Sequence, residues 1–159
     1  LMFAAAGGLL ATLAMLALLG LPITAALVQA GIVLMLSAWG VKLAWWRLGG
    51  MARHAGSVES ATGLGHLGTV KPLMPPHTEE NYLQHEMGFV VARKHADKLR
   101  IFAIGLGGVL PIIVLLVVPA SAAALGFAVL SHVAGMFVER WLFFAEAKHV
   151  VTLYYEGAA

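Results

Sequence analysis

Residues Pro119 to Tyr155 read PASAAALGFAVLSHVAGMFVERWLFFAEAKHVVTLYY. A nearly uninterrupted apolar run takes up ionisable groups as it proceeds: His132, Glu139 and Glu146, each seven residues after the last. Seven residues of α-helix return to the same face with a drift of only ~20°, so these three side chains stack. Ser121, Ala128 and Gly135 fall on or beside that face, which makes it narrow as well as polar. Such a stripe on an otherwise apolar helix belongs against other helices, not against lipid. The stretch predicts an all-α integral membrane bundle with Ser121, His132, Glu139 and Glu146 on an inner seam.

The composition points the same way. Of 159 residues, 60% are hydrophobic and only 11% charged, against about 25% charged in soluble domains. Mean hydropathy is +0.87. The chain has no cysteine, which excludes disulfides, iron–sulfur clusters and thiolate metal sites within it. A formal charge of +2 is too small to suggest nucleic acid. Leu1 lies inside an apolar run with no basic stretch before it, so a signal peptide does not fit. The chain is expected to be a piece of a longer protein.

Working outward from the last span, three further apolar stretches approach the ~20 residues a crossing helix needs. The expected spans are 1–19, 22–47, 99–118 and 120–147, in one transmembrane domain. The first is rich in small residues, with Gly7-x-x-x-Ala11 and Gly8-x-x-x-Thr12 spacings suited to close packing. Gly20-Leu21-Pro22 and Val118-Pro119-Ala120 are tight connections, so two antiparallel helical hairpins are expected. In the second span Ala26, Gln29, Ser37, Gly40 and Ala44 share a side, which is expected to be the helix interface. Trp45, Trp46 and Arg47 close it as an interfacial end, and Lys42 is near enough to that end to snorkel. Pro111 should bend the third span.

Residues 48–98 are of another kind. They hold five of the eight acidic residues and five of the seven histidines, so they form a long extramembrane loop. Glycines and prolines mark the first two-thirds as irregular. From Thr78, a plausible N-cap, ENYLQHEMGFVVARKHADKLR reads as a helix with an apolar stripe. All ten Lys and Arg residues lie on the side of this loop, and neither tight connection carries one. Positive charge stays in the cytoplasm, so the loop and both ends are predicted cytoplasmic.

Helical rise sets depth. Counted at ~1.5 Å per residue from Pro119, His132 lies ~20 Å in and Glu139 ~30 Å. From Pro22, Ser37 lies at ~22 Å, Lys42 at ~30 Å and Arg47 at ~38 Å. Glu139 is then level with Lys42 and Arg100, and Glu146 with Arg47. Pairing is expected among these, because an unpaired charge inside a bundle is strongly unfavourable. His132 has no ionisable companion at its depth. It is either a neutral imidazole hydrogen-bonded to Ser37, Ser131 or a carbonyl, or a group that exchanges protons with a quinol. Bis-histidine haem ligation needs a histidine on a second span, and none is there.

Two motif matches do not hold. Gly63-Leu64-Gly65-His66-Leu67-Gly68 fits G-x-G-x-x-G, but no strand precedes it and Pro72 interrupts any following helix. His85-Glu86-Met87-Gly88-Phe89 lacks the second histidine of a zinc-protease helix. His54, His66, His77, His85 and His95 are too scattered for a metal site.

Two strings resemble a known family. PPHT-x-x-NYL-x-x-EMGF-x-VARKHA-x-KLR, residues 75–100, and ERWLFFAEAKHVV, residues 139–151, are similar to the membrane anchor subunit of bacterial dimethyl sulfoxide reductase. The likeness covers about the last two-thirds of the chain at motif level; the first two helices fit in hydropathy only. It implies an anchor of eight transmembrane helices, of which this chain is the C-terminal four-helix half, in the bacterial cytoplasmic (inner) membrane. It further implies two partners, an iron–sulfur electron-transfer subunit and a molybdenum-cofactor catalytic subunit. The anchor would bind no cofactor of its own and would oxidise quinol, typically menaquinol. Under that reading His132, Glu139 and Glu146 are candidates to handle the released protons, with Lys42, Arg47 and Arg100 as their charge partners. Half of a small transporter and a purely structural anchor are the alternatives.

Overall fold

The computed structural model describes residues 1–51, 58–71 and 94–146, and the side chains of 49–51 fall outside it. The Thr78 cap, the H-E motif and the expected helix from Glu79 as far as residue 93 lie outside the described residues, as do residues 147–155; the end of that expected helix, 96–100, is helical. Among those described, regular structure is all helical. Helix α1 is Met2–Leu18 and α2 is Ala25–Met51. A short α3, Val58–Thr62, stands in the stretch read as loop. The third long helix is α4, Ala96–Ile104, a π turn, Gly105–Val109, and α5, Leu110–Val117. The last is α6, Ala122–Glu146.

Among the described residues three helices are long and apolar enough to cross a membrane: Ala25–Leu48, Ala96–Val117 and Ala122–Glu146. Their outer faces carry large apolar side chains such as Leu36, Phe102, Leu116, Leu130 and Phe137. So much exposed hydrocarbon suits lipid, not water. Helix α1 has 17 residues, ~25 Å of rise, and is shorter than the other three. Its end is built into the sequence. Gly20 takes φ +68°, the Gly20 N–H donates to Ala17 O and the Leu21 N–H to Leu16 O. That left-handed glycine cap closes the helix. Thr24, not Pro22, then opens α2: its Oγ1 accepts the Leu27 N–H at 3.4 Å.

Helix α6 is the central member. It packs along α1 and along the whole third helix, while α2 lies against α1. Leu125, Ala128, Ser131, His132, Gly135, Glu139, Leu142 and Ala145 are buried on α6, the spacing expected of one seam. Ser121 is the exception. It is exposed, and its Oγ accepts the Ala124 N–H at 3.2 Å. It caps the helix from outside the seam, because α6 starts only at Ala122, after the turn at Pro119.

The α2 interface is the reverse of the one expected. Ala26, Gln29, Ser37, Gly40 and Ala44 are exposed, and Gly31, Met35, Ala38, Trp39 and Lys42 are buried. The expectation was that small residues mark the contact face. Besides the small Gly31 and Ala38, α2 supplies large side chains to small residues on another helix: the Trp39 ring fills the hollow at Gly107 and Gly108. In α1 likewise, Gly7 and Ala14 line the inner side, whereas Ala4, Gly8 and Ala11 are exposed.

Candidate functional site

Polar side chains gather in two tiers along α6. The deeper tier lies at the π turn. Ser131 Oγ donates to Leu106 O at 2.6 Å, and His132 Nδ1 meets Gly107 O at 2.6 Å. A carbonyl oxygen only accepts, so Nδ1 carries the proton. The other ring nitrogen faces α1, where a Cβ on Gly7 would stand 3.0 Å from Nε2. Of the partners considered for His132, the structure uses a carbonyl. Trp39 closes the tier from α2, its ring edge-on to Phe3 at 5.0 Å. The Trp39 Nε1 is buried with no hydrogen-bond partner among the described residues.

The second tier lies about two helical turns further along α6. Glu139 is fully buried, and its carboxylate is shared. Oε1 is in ionic contact with Lys42 Nζ, without hydrogen-bond alignment. Oε2 accepts from Arg140 Nε at 2.7 Å. Lys42 is buried too, its ammonium 4.4 Å from the Trp45 ring centre, 5.1 Å from Trp46 and 5.5 Å from Phe143. Aromatic faces stabilise a cation electrostatically, so the box and Glu139 together replace the water that Lys42 has lost.

Two turns beyond, Arg100 reaches across from α4. It donates to Glu146 Oε1 at 2.6 Å and to Asp97 Oδ1 at 2.9 Å, with Trp46 under its guanidinium at 5.6 Å. Glu146 therefore meets Arg100, and not Arg47. Arg47 is exposed and makes no ion pair among the described residues. The cause is rotation: five residues past Lys42 is ~140° around the helix, so Lys42 and Arg47 cannot share a face. Depth counting also treats the helices as parallel rods and ignores the reach of an Arg side chain along them.

Asp97 and Arg140 were not among the candidates. Each is near on its own helix to a charge it serves, and (i, i+3) spacing could have found Asp97. The segment 63–68 is a turn after α3, with Gly63 and Gly68 at positive φ and His66 exposed. Among the described residues no group of three or more His, Asp or Glu could hold a metal ion. Chemically, the site offers a buried carboxylate between two cations, a half-buried carboxylate beside it, and a histidine deeper in. Comparison with protein-family models, curated proteins and solved structures finds no match.

Proposed function

We propose that the chain is the C-terminal half of the membrane anchor of a dimethyl-sulfoxide-reductase-type complex, with four crossings arranged as two hairpins. It would sit in the bacterial cytoplasmic membrane, its long loop inside, beside an iron–sulfur subunit and a molybdenum-cofactor subunit. There it would help oxidise quinol, menaquinol by preference, and release the protons while the electrons pass to the iron–sulfur partner. The chain has no cysteine for a cluster, so its part is to hold quinol near a partner's redox centre.

One observation carries this reading. The two strings that resemble the family are 38 residues apart in sequence, counted from Arg100 to Glu139 with both ends left out, yet their described ends meet in space. Arg100 closes the first string, Glu146 lies inside the second, and they are 2.6 Å apart. A charge pair that ties both strings to one end of the bundle is what a docking or quinol surface on the loop side requires. Glu139 and Glu146 remain the proton-handling candidates, at the tier nearest the loop.

A second reading, a structural anchor without redox chemistry, draws on a different observation: His132, Glu139 and Glu146 are all held by partners inside the chain. Expression together with its genomic neighbours separates the two. Co-purification with a molybdenum and an iron–sulfur protein, plus binding of a quinol analogue, supports the first. Co-purification with no analogue binding leaves the structural anchor. Absence of both partners, with solute flux in liposomes carrying the chain alone, would indicate half of a transporter instead.

A further inference from the structure

The third long helix loses two of its own hydrogen-bond donors. In an α-helix the Leu106 oxygen takes the N–H of residue 110, and the Gly107 oxygen that of residue 111. Here the Leu110 N–H reaches back to Gly105 O, one residue further. Residue 111 is proline and has no N–H. Leu106 O is thus left without either backbone donor, and Gly107 O without its α-helical one, in a segment that crosses hydrocarbon, where an unpaired peptide group is strongly unfavourable. The donors that meet them are adjacent residues of the facing helix: Ser131 on Leu106 O and His132 on Gly107 O. They can do so because the two backbones touch. A Cβ on Gly135 would collide with Gly107 backbone atoms.

We propose that Ser131 and His132 are positioning residues, a two-pronged clasp that stands in for the missing N–H groups and holds the π turn in register. The register has a consequence at the next tier. One residue inserted in a helix turns everything before it by ~100°. Arg100 lies before the π turn, so its pairing with Glu146 depends on that turn persisting. His132 acts through Nδ1, and its role is independent of whether the chain handles quinol.

Three variants of the full chain in mixed micelles separate a donor from a proton carrier. His132→Asn keeps an amide N–H close to the Nδ1 position. His132→Gln places its amide near Nε2, and His132→Leu has no donor. The folded-to-unfolded ratio, followed through tryptophan fluorescence in a denaturing-detergent titration, should stay within about threefold of wild type for Asn. It should fall roughly tenfold for Gln and Leu, the scale of one buried unpaired acceptor. Pro111→Ala returns an N–H that can close on one of the two carbonyls. The combined loss from Ser131→Ala and His132→Leu should therefore shrink by about threefold or more in the Pro111→Ala background. Asn behaving like Leu, or a combined loss that Pro111→Ala leaves unchanged, overturns the clasp. Should the Leu variants not fold, nitrogen-15 NMR of the wild-type chain decides: the histidine signal lost in His132→Asn must be the Nδ1–H tautomer, and an Nε2–H tautomer overturns the proposal.

Discussion

Glu139 has no exposed surface and holds two cations, whereas Lys42 has one carboxylate and a box of rings. Removing one member of a buried ion pair is worse than never having had it, because the survivor is stranded. The two halves of this pair should therefore respond unequally. Glu139→Gln strands a buried ammonium and should destabilise the folded chain by about 3 kcal/mol or more. Lys42→Met leaves Glu139 its Arg140 partner and fills the box with a side chain of similar shape, so it should be milder by at least ~1 kcal/mol. Unfolding titrations of the two variants measure this, and equal losses would contradict the assignment of Arg140 as second partner. The seven-residue spacing of His132, Glu139 and Glu146 was readable in the sequence because rotation within one helix is fixed geometry. The choice of Arg100 over Arg47 was not, because it depends on which neighbour faces α6 and how far its side chain reaches.

At the level of the helix, contact is set by which partner is small. Gly135 and Gly107 let the backbones of α6 and the third long helix touch, and Gly108 receives the Trp39 ring, its would-be Cβ 2.6 Å from Nε1. These are different obstacles. At Gly108 the obstacle is a side chain, so Gly108→Ala should be rescued largely by Trp39→Leu. At Gly135 it is backbone, so Gly135→Ala should lose ~2–3 kcal/mol with no single side-chain change to recover it, as overpacking a tight core does. Midpoints of detergent unfolding for the two single and the one double variant check the difference. Reading small residues as the interface worked on α6 and failed on α2 for the same reason. Close packing needs a small residue on one side of a crossing only, and a single helix does not reveal which side it is on.

Across the whole molecule, the charged tier lies at one end: Lys42 near the end of α2, Arg100 near the start of α4, Glu139 and Glu146 late in α6. The tight connections at Gly20 and Pro119 belong to the other end, where Leu13, Ala14 and Leu125 form a separate apolar cluster. The absence of cysteine makes single-cysteine labelling clean. Under the orientation proposed above, Leu21→Cys and Ala120→Cys should react with a membrane-impermeant thiol reagent from outside the cell. Ser60→Cys, between the paired crossings, should react only after the inner face is opened. Ser60→Cys labelled from outside would reverse the positive-inside orientation. Leu21→Cys and Ala120→Cys labelled from opposite faces would mean that α2 or the third long helix does not cross.

The sequence by itself determined that this is a helical membrane chain, where its long apolar segments lie, and which face of the last helix turns inward. Those follow from hydropathy, from the need to satisfy every peptide group in hydrocarbon, and from the 3.6-residue turn. Only the tertiary structure decided which helices touch, that α2 turns Trp39 and Lys42 inward, that Ser121 caps α6 from outside the seam, and that Arg100 takes Glu146. It also decided that His132 serves a carbonyl near Pro111, 25 residues away in sequence. Each of these depends on distances between segments that one-dimensional periodicity does not contain.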